Sequence, residues 1–305
     1  MGAGAVGCYF GARLARAGSP VTLVARPQHV DAICRDGLDL DSVDGRERVQ
    51  LTATTDVAAL RDCGVVLVSV KTPATEATAA ALAPVLPPDT IVVSLQNGVD
   101  NAWRIRAYVN NPVVPAVVYV AAEMRGPGVL RHNGGGRLIV GEPLSGDENA
   151  EPARARLRDL VARFADAGVP CTWSADVRVD LWTKLATNCA YNAISALTEL
   201  RYHHLAAHPG VREVMAMAVA EIAQVAEAEG VPVSEAALSA AVARIVEAMP
   251  MALSSTAQDL LAGRRTEIDD LNGFIVRRGA AHGIATPVNK TLHALIGLVE
   301  ASREG

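Results

Sequence analysis

The sequence has few aromatic residues and lacks the patterns that mark nucleic-acid-binding, membrane and secreted proteins. Aromatic residues make up only 4% of the 305 residues, so we expect a core built mainly from Ala, Val and Leu. The net charge of −5 provides no basic surface of the kind that nucleic acids require. No apolar run reaches the roughly 18 residues needed to span a membrane, and no signal-peptide pattern opens the chain.

Cysteine pairs and metal-ligand clusters are also missing. The sequence contains five cysteines, Cys8, Cys34, Cys63, Cys171 and Cys189. They have neither paired spacing nor a C-x-x-C motif, which is typical of a reducing cytosol, so we predict a cytoplasmic protein. His204 and His208 stand four residues apart with no further ligand at metal-binding spacing, so we expect surface histidines and no metal site.

A glycine-rich motif stands at the start of the sequence, where Gly2-Ala3-Gly4-Ala5-Val6-Gly7 reads G-x-G-x-x-G. Apolar residues at helical spacing follow it, Gly18 provides a stop, and residues 21–24 form a short β-branched run. This order of loop, helix and strand is that of a mononucleotide-binding half. Its glycines let a pyrophosphate approach, and its helix N-terminus supplies N–H donors. A plain turn of small residues is the alternative interpretation.

Arg26 directly follows that strand and bears on the choice of cofactor. A site for NAD usually has Asp or Glu near this position, to bind the ribose 2′-hydroxyl. A guanidinium instead pairs with a 2′-phosphate, so we predict NADP(H). The alternative is an exposed arginine that merely follows a strand.

The hydrophobic strand that should precede the glycine motif is not encoded, because only Met1 stands in front of Gly2. In a doubly wound sheet this first strand is central, and its loss would leave two inner strands without a ladder partner. We therefore expect the natural chain to begin several residues upstream with an apolar strand.

Alternating strands and helices in the first half give way to helices in the second. Continuous apolar runs typical of buried parallel strands occupy residues 65–70, 91–95 and 113–122, and shorter strands are predicted at 138–141 and 171–173. Helices are predicted at 152–167, 177–198, 210–229, 234–248, 255–282 (with a break allowed) and 289–301. We predict an α/β fold: a Rossmann-type doubly wound domain lacking its first strand over residues 1–175, then an all-helical substrate and catalytic domain over residues 176–305.

Polar side chains follow two of the predicted parallel strands. Lys71 comes after the run at 65–70, and Asn97 comes shortly after the run at 91–95. Ligands of open α/β sheets bind at the carboxyl ends of the strands, so both residues are candidates for the cofactor site. Asn97 offers donors and acceptors suited to a carboxamide, ribose or carbonyl group, although the turn-forming pair Asn97-Gly98 is an alternative explanation.

Lys184 is the single charged residue between positions 181 and 198, in a predicted helix that is otherwise apolar, small or neutral. A lone buried lysine is costly unless it is paired or used. Asn188 and Asn192 follow at four-residue steps and share its helix face. The two amides and the ammonium could bind a carbonyl oxygen. The lysine could also protonate that oxygen, because loss of hydration would lower its pKa. A snorkelling lysine beside two core amides is the alternative.

A second group of candidates lies further along the chain. Leu260, Glu267, Leu271 and Phe274 fall on one stripe if the segment is helical, which would place the Glu267 carboxylate in an apolar face. It would need a partner there, for which Lys184 or a substrate hydroxyl would serve. Ser254 and Ser255 could receive a substrate carboxylate, although a helix N-cap is the simpler reading of this serine pair.

Taken together, these segments resemble the ketopantoate reductase (2-dehydropantoate 2-reductase) family nearly from end to end. The segments that carry the resemblance are GAGAVG with Arg26, SVKTP, LQNGV, LWTKLATNCAYNAISAL, SSTAQDL, RRTEIDDLNGF and RRGAAHGIATP. In that family NADPH delivers a hydride to the 2-keto carbon of ketopantoate and gives (R)-pantoate for pantothenate synthesis. The resemblance thus implies a small keto-acid substrate, with no nucleic acid and no membrane as partner. A homodimer is an assembly that the sequence permits.

The resemblance also implies roles for individual residues. Lys184 would be the general acid, Asn188 and Asn192 would hold substrate oxygens, and Ser255 would bind the substrate carboxylate. Glu267 would orient the substrate hydroxyl or the lysine. The residues implied beside the cofactor are Lys71, Asn97 and Ala122.

Departures from the family pattern bear on substrate choice. Some members carry asparagines where this chain has Ala252 and Tyr202, so a different branched 2-keto acid remains open. Two further alternatives are a β-hydroxyacid dehydrogenase, which also joins a Rossmann domain to helices and uses a lysine, and a non-catalytic NADP(H)-sensing protein. The sensing protein would have no need of Lys184 and Glu267.

Overall fold

Two units follow one another along the chain, Met1–Val177 and Arg178–Gly305. The computed structural model describes residues 1–43, 45–145 and 150–304. In the first unit the strands are β1 (Thr22–Val24), β2 (Leu38–Ser42), β3 (Gly45–Val49), β4 (Thr52–Thr54), β5 (Val65–Val68), β6 (Ile91–Ser94), β7 (Val113–Gly126), β8 (Val129–Val140) and β9 (Cys171–Trp173). Its helices are α1 (Ala5–Arg16), α2 (Pro27–Asp36), α3 (Thr75–Leu82), α4 (Asn101–Arg106) and α5 (Glu151–Asp166).

A mixed sheet forms the centre of the first unit, with the strand order β3-β2-β8-β7-β6-β5 and with β9 against β8. Strands β5, β6 and β7 run parallel, as the continuous apolar runs predict. The predicted strand at 113–122 is too short, however. β7 continues to Gly126 and pairs antiparallel with β8, because the two strands form a hairpin closed around Gly128 (φ +69°).

Both faces of the sheet are covered by apolar side chains. Alternate strand residues point to opposite sides, so Val93 packs in one cluster with Phe10 of α1 and Phe164 of α5. Val92 lies in the other cluster, with Leu82 of α3 and Ile105 of α4. The predicted α/β fold class is confirmed.

Strands β1 and β4 form a separate parallel pair. Residues Met1–Ala3 lie between β1 and β5: the Gly2 and Ala3 amides donate to Val24 O (3.0 and 3.3 Å), and the Ser69 amide donates to Met1 O (2.9 Å). A cavity of about 540 Å³ adjoins them, lined by residues of both strands, including Leu23 and Leu67. Met1 and Gly2 thus form backbone hydrogen bonds with part of the edges of β1 and β5 that face each other.

The regular secondary structure among the described residues of the second unit is helical. Its helices are α6 (Val177–Thr198), α7 (Tyr202–Ala207), α8 (Pro209–Ala228), α9 (Glu235–Ala248), α10 (Ser255–Leu261), α11 (Asn272–Ala281) and α12 (Pro287–Glu304). The stripe proposed for residues 260–274 is wrong, because no continuous helix joins them. α10 ends at a left-handed glycine, Gly263 (φ +62°), and Glu267 precedes a short 3₁₀ turn at Ile268–Asp270. None of the helices among the described residues is long and apolar enough to cross a membrane.

Candidate active site

The first unit contains the glycine loop, which leads into α1. Gly2 has a φ of +93°, and a Cβ placed on it would lie 2.7 Å from Val70 N. A Cβ on Gly7 would lie 2.3 Å from Gly2 O and 2.5 Å from Ser69 Oγ. These two glycines are therefore required by the turn and by the close contact between helix and strand.

Gly4 has a different environment. It is exposed, it is the N-cap of α1, and a Cβ placed on it would meet nothing within 4 Å. It has no side chain to cap the helix, so the first N–H groups of α1, from Ala5 to Gly7, have no intrahelical acceptor. The open backbone at Gly4 and the helix dipole together make a site that fits a pyrophosphate.

Arg26 lies at the carboxyl end of β1, as the N-cap of α2, and is exposed. Its guanidinium forms no ion pair with any of the residues described by the structure. Burial lowers the pKa of His29, and the nearby positive charge of Arg26 lowers it further. A cation near the glycine turn is thus available to an anionic group of a ligand.

Lys71 and Asn97 lie just beyond β5 and β6, as predicted, in two loops that a buried polar network joins. The Asn101 side chain connects them: its Nδ2 donates to Asn97 O (2.6 Å) and to Thr72 Oγ1 (3.1 Å). The network continues through Thr75, whose hydroxyl donates to Asn101 Oδ1 (2.7 Å) and accepts from Gln96 Nε2 (2.6 Å).

Sequence reasoning missed this network, because its members lie far apart along the chain. The network fixes the loops that carry Lys71 and Asn97. Lys71 itself is exposed, and Asn97 is partly buried.

Ala122 lies in the part of β7 that pairs with β8, opposite His132, and is partly buried. The parallel pairing of β7 with β6 ends much earlier, at Pro115. Ala122 therefore lies outside the loops that bring Lys71 and Asn97 together, and its proposed role at the cofactor depends on the resemblance alone.

The second unit contains Lys184 on α6. The residue keeps some exposed surface, but its ammonium lies deep among protein atoms. Loss of hydration lowers the pKa of Lys184 from 10.5 to about 8, while the negative charge of Glu267 partly opposes that shift. A lysine with such a pKa remains mostly protonated at neutral pH and gives up its proton readily.

Asn188 and Asn192 continue the same face of α6. Asn188 is partly buried, and its side-chain amide has no hydrogen-bond partner within the described part of the chain. Asn192 is buried, and its Oδ1 accepts from the Tyr202 hydroxyl (3.3 Å). The helix therefore presents one ammonium and two amides in a row, as its sequence predicts.

The two serines separate into different roles. Ser254 is buried and is the N-cap of α10, since its hydroxyl accepts a hydrogen bond from the Ala257 backbone amide (3.1 Å). The same hydroxyl donates to Asn192 O (3.1 Å). Ser255 is exposed at the first position of the helix. The capping role considered for the pair thus belongs to Ser254, which leaves the Ser255 hydroxyl accessible.

Helix α6 is held in place by contacts that the sequence did not reveal. The Asn272 side chain at the start of α11 donates to Cys189 O (3.2 Å) and to Asn289 Oδ1 (2.9 Å). Asn289 Nδ2 donates in turn to the buried carboxylate of Glu221 (2.7 Å). The rings of Trp182 and Phe274 pack edge to face at 5.9 Å. These contacts fix the segment of α6 that carries Lys184.

Comparison with known proteins identifies the family. The sequence profile described as "Ketopantoate reductase PanE/ApbA" matches residues 1–144, and the profile described as "Ketopantoate reductase PanE/ApbA C terminal" matches residues 176–300. The chain belongs to the ketopantoate reductase family. A 2-dehydropantoate 2-reductase of Halobacterium salinarum is 34% identical over 309 residues, which cover 100% of this chain and 98% of that protein.

Solved structures agree with this assignment. A crystal structure of a PanE/ApbA family ketopantoate reductase from Ralstonia eutropha JMP134 is 48% identical, with a TM-score of 0.90, and covers 100% of this chain and 98% of that one. A ternary structure of D-mandelate dehydrogenase with NADH and anilino(oxo)acetate has a TM-score of 0.91 at 24% identity, covering 99% and 97% of the two chains. At that identity the similarity shows a shared fold. The resemblance inferred from the motifs is confirmed for the family, and the roles of individual residues stay predictions.

Proposed function

We propose that this member of the ketopantoate reductase family reduces a 2-keto acid with NADPH, and that its substrate is 2-dehydropantoate (ketopantoate), which becomes (R)-pantoate for pantothenate synthesis. The reaction class agrees with the names of the relatives. The structural observation that carries the proposal is Lys184, a deeply placed ammonium with a pKa near 8, followed on the same helix face by Asn188 and Asn192.

Reduction of a ketone needs one hydride at carbon and one proton at oxygen. The nicotinamide, when bound, supplies the hydride. Lys184 donates a proton to the carbonyl oxygen as negative charge develops there, and its lowered pKa makes it a stronger acid than an ordinary lysine. The ammonium also stabilises that charge before the proton moves, since it lies where little water can screen it.

The remaining residues of the second unit supply binding and orientation. The amides of Asn188 and Asn192 would donate to substrate oxygens, and the exposed Ser255 hydroxyl would bind the substrate carboxylate. Glu267 raises the pKa of Lys184, which keeps the acid protonated at neutral pH. It would also accept a hydrogen bond from a substrate hydroxyl.

The first unit fits a dinucleotide. The pyrophosphate would lie at the Gly2–Gly7 loop, against the open backbone of Gly4 and the N-terminus of α1. The exposed guanidinium of Arg26, at the end of β1, would pair with a 2′-phosphate, which favours NADPH over NADH. Lys71 and Asn97 would contact the nicotinamide half. The proposal includes a cytoplasmic location, which the free cysteines support, and a homodimer.

A panel of keto acids assayed with NADPH and with NADH tests this function. Purified protein should reduce ketopantoate with NADPH at a higher kcat/KM than other branched or aromatic 2-keto acids, and 3-hydroxy acids should not be oxidised with NADP⁺. A higher kcat/KM for another 2-keto acid would replace ketopantoate as the proposed substrate and leave the proposed reaction, reduction of a 2-keto acid by NADPH, unchanged. Turnover of 3-hydroxy acids would favour the β-hydroxyacid dehydrogenase alternative, and NADPH binding without any hydride transfer would favour a sensing protein.

A further inference from the structure

Tyr202 makes three contacts that fix it at both ends, in a part of the second unit to which the proposed function assigns no role. Its amide donates to Ala252 O (3.1 Å), its ring packs on that of Tyr191 with centroids 4.5 Å apart, and its hydroxyl reaches Asn192 Oδ1 at 3.3 Å. The residue is buried.

We propose that Tyr202 is a positioning residue for the substrate: its hydroxyl holds the Asn192 amide in the orientation that presents Nδ2 to an oxygen of the keto acid. This inference rests on the proposed function, in which Asn192 binds the substrate.

The chemistry of the substrate requires one orientation of this amide. The carboxylate and the keto group of a 2-keto acid present only acceptor oxygens, so the Asn192 amide must face them with its N–H donors. The two ends of an asparagine amide have nearly the same size, and sterics alone would not choose between them. In the structure the Tyr202 hydroxyl donates to Oδ1, so the carbonyl end of the amide lies at the phenol and Nδ2 is left for a substrate oxygen.

The phenol keeps the proton that this role needs. Burial raises the pKa of Tyr202, and the neighbouring Tyr191 raises it further, so the hydroxyl stays neutral over the whole working range of an enzyme.

The backbone of Asn192 is tied to the same segment that holds Tyr202. Ser254 Oγ donates to Asn192 O (3.1 Å), and the Ser254 amide donates to Ser195 Oγ (3.3 Å), one helical turn further along α6. Because the Tyr202 backbone amide donates to Ala252 O, two residues before Ser254, hydrogen bonds tie both the tyrosine and α6 to this segment.

A substitution that removes only the hydroxyl tests the inference. Tyr202→Phe keeps the ring and its stacking, and should raise KM for ketopantoate by about 2- to 10-fold, the range expected for one neutral hydrogen bond. The kcat and the dissociation constant for NADPH should change by less than about 2-fold, because neither the acid nor the cofactor site is touched. Tyr191→Phe is the matched control, since the Tyr191 hydroxyl has no hydrogen-bond partner among residues that the structure describes, and it should leave KM unchanged.

A double-mutant cycle separates positioning from general loosening of the fold. The affinity for oxamate, a non-reducible analogue of a 2-keto acid, is measured with NADPH present in wild-type protein, Tyr202→Phe, Asn192→Ala and the double variant. If Tyr202 acts through Asn192, the effect of Tyr202→Phe disappears in the Asn192→Ala background. Circular dichroism melting verifies that each variant is folded.

Two results would overturn the inference: an unchanged KM in Tyr202→Phe, or an equal effect of Tyr202→Phe with and without the Asn192 amide. Failure of the proposed function is a separate outcome, because wild-type protein would then reduce no 2-keto acid in the panel, and this inference would fall with it.

Discussion

The strongest quantitative prediction concerns the pH dependence of reduction. The proposed acid, Lys184, must be protonated to act, so activity is present below its pKa and lost above it. Burial lowers that pKa to about 8. We therefore expect kcat/KM for ketopantoate to be level near pH 7 and to fall tenfold per pH unit well above pH 8.

The difference from an ordinary lysine is large enough to measure. With a pKa of about 8, roughly nine-tenths of the ammonium is charged at pH 7 and roughly one-tenth at pH 9, so the rate should drop about tenfold between them. An unperturbed lysine with a pKa of 10.5 would still be more than nine-tenths charged at pH 9, and the rate would hardly change. Initial rates of NADPH oxidation at constant ionic strength provide the assay.

Removing the charge of Glu267 sharpens this test. Glu267 raises the pKa of Lys184, so Glu267→Gln should move the falling limb to lower pH. A shift on the order of one pH unit is expected, because two charges in a partly buried site interact by about 1–3 kcal/mol. Glu247→Gln, at an exposed position of α9, is the control and should leave the limb in place. A profile that stays level to pH 9, or a limb that both variants leave unmoved, would refute Lys184 as the acid.

Two further predictions concern the cofactor. Arg26→Ala should weaken NADPH binding by about 10- to 100-fold and NADH binding little, because a charge-assisted bond to the 2′-phosphate is lost. Arg61→Ala, at another exposed arginine, is the control. Equal losses of affinity for both cofactors, or the same loss in the control, would contradict 2′-phosphate recognition by Arg26. Gly4→Ala should keep the melting temperature, because the new Cβ meets no protein atom, but it should weaken NADPH binding at the open backbone. Gly7→Ala should destabilise the fold by about 1–3 kcal/mol, because its Cβ would clash with Gly2 O and Ser69 Oγ. Thermal melts and cofactor titrations check both glycine variants, and equal melting temperatures would contradict the assigned contacts.

The sequence predicts elements well where one local pattern dominates. The bounds of α6 are those expected from its sequence, because a long stretch with helical spacing and a single charge between positions 181 and 198 leaves no competing structure. β9 is likewise placed as predicted, and β5 and β6 end within two residues of the expected positions. Lys184, Asn188 and Asn192 share a face for the same reason, since a helix fixes the direction of residues four apart.

Long-range contacts decide what the sequence could not show. The helix predicted through Glu267 does not form, because Gly263 takes a left-handed conformation that ends α10. The spacing of apolar residues before and after Gly263 is that of one helical stripe, but the chain does not continue as a helix between them. The network around Asn101 joins residues far apart in sequence, and no local pattern pairs them. The bond from Tyr202 to Asn192 likewise depends on how α7 meets α6.

The most direct test of the central claim is the turnover of Lys184→Ala compared with its affinity for NADPH. Lys290→Ala, which removes an exposed lysine of α12, is the matched control. We predict that Lys184→Ala lowers kcat for ketopantoate by about 100-fold or more, the usual contribution of a general acid, while its dissociation constant for NADPH stays within about 2-fold of the wild-type value. Near-normal turnover of ketopantoate by folded Lys184→Ala protein would contradict the account.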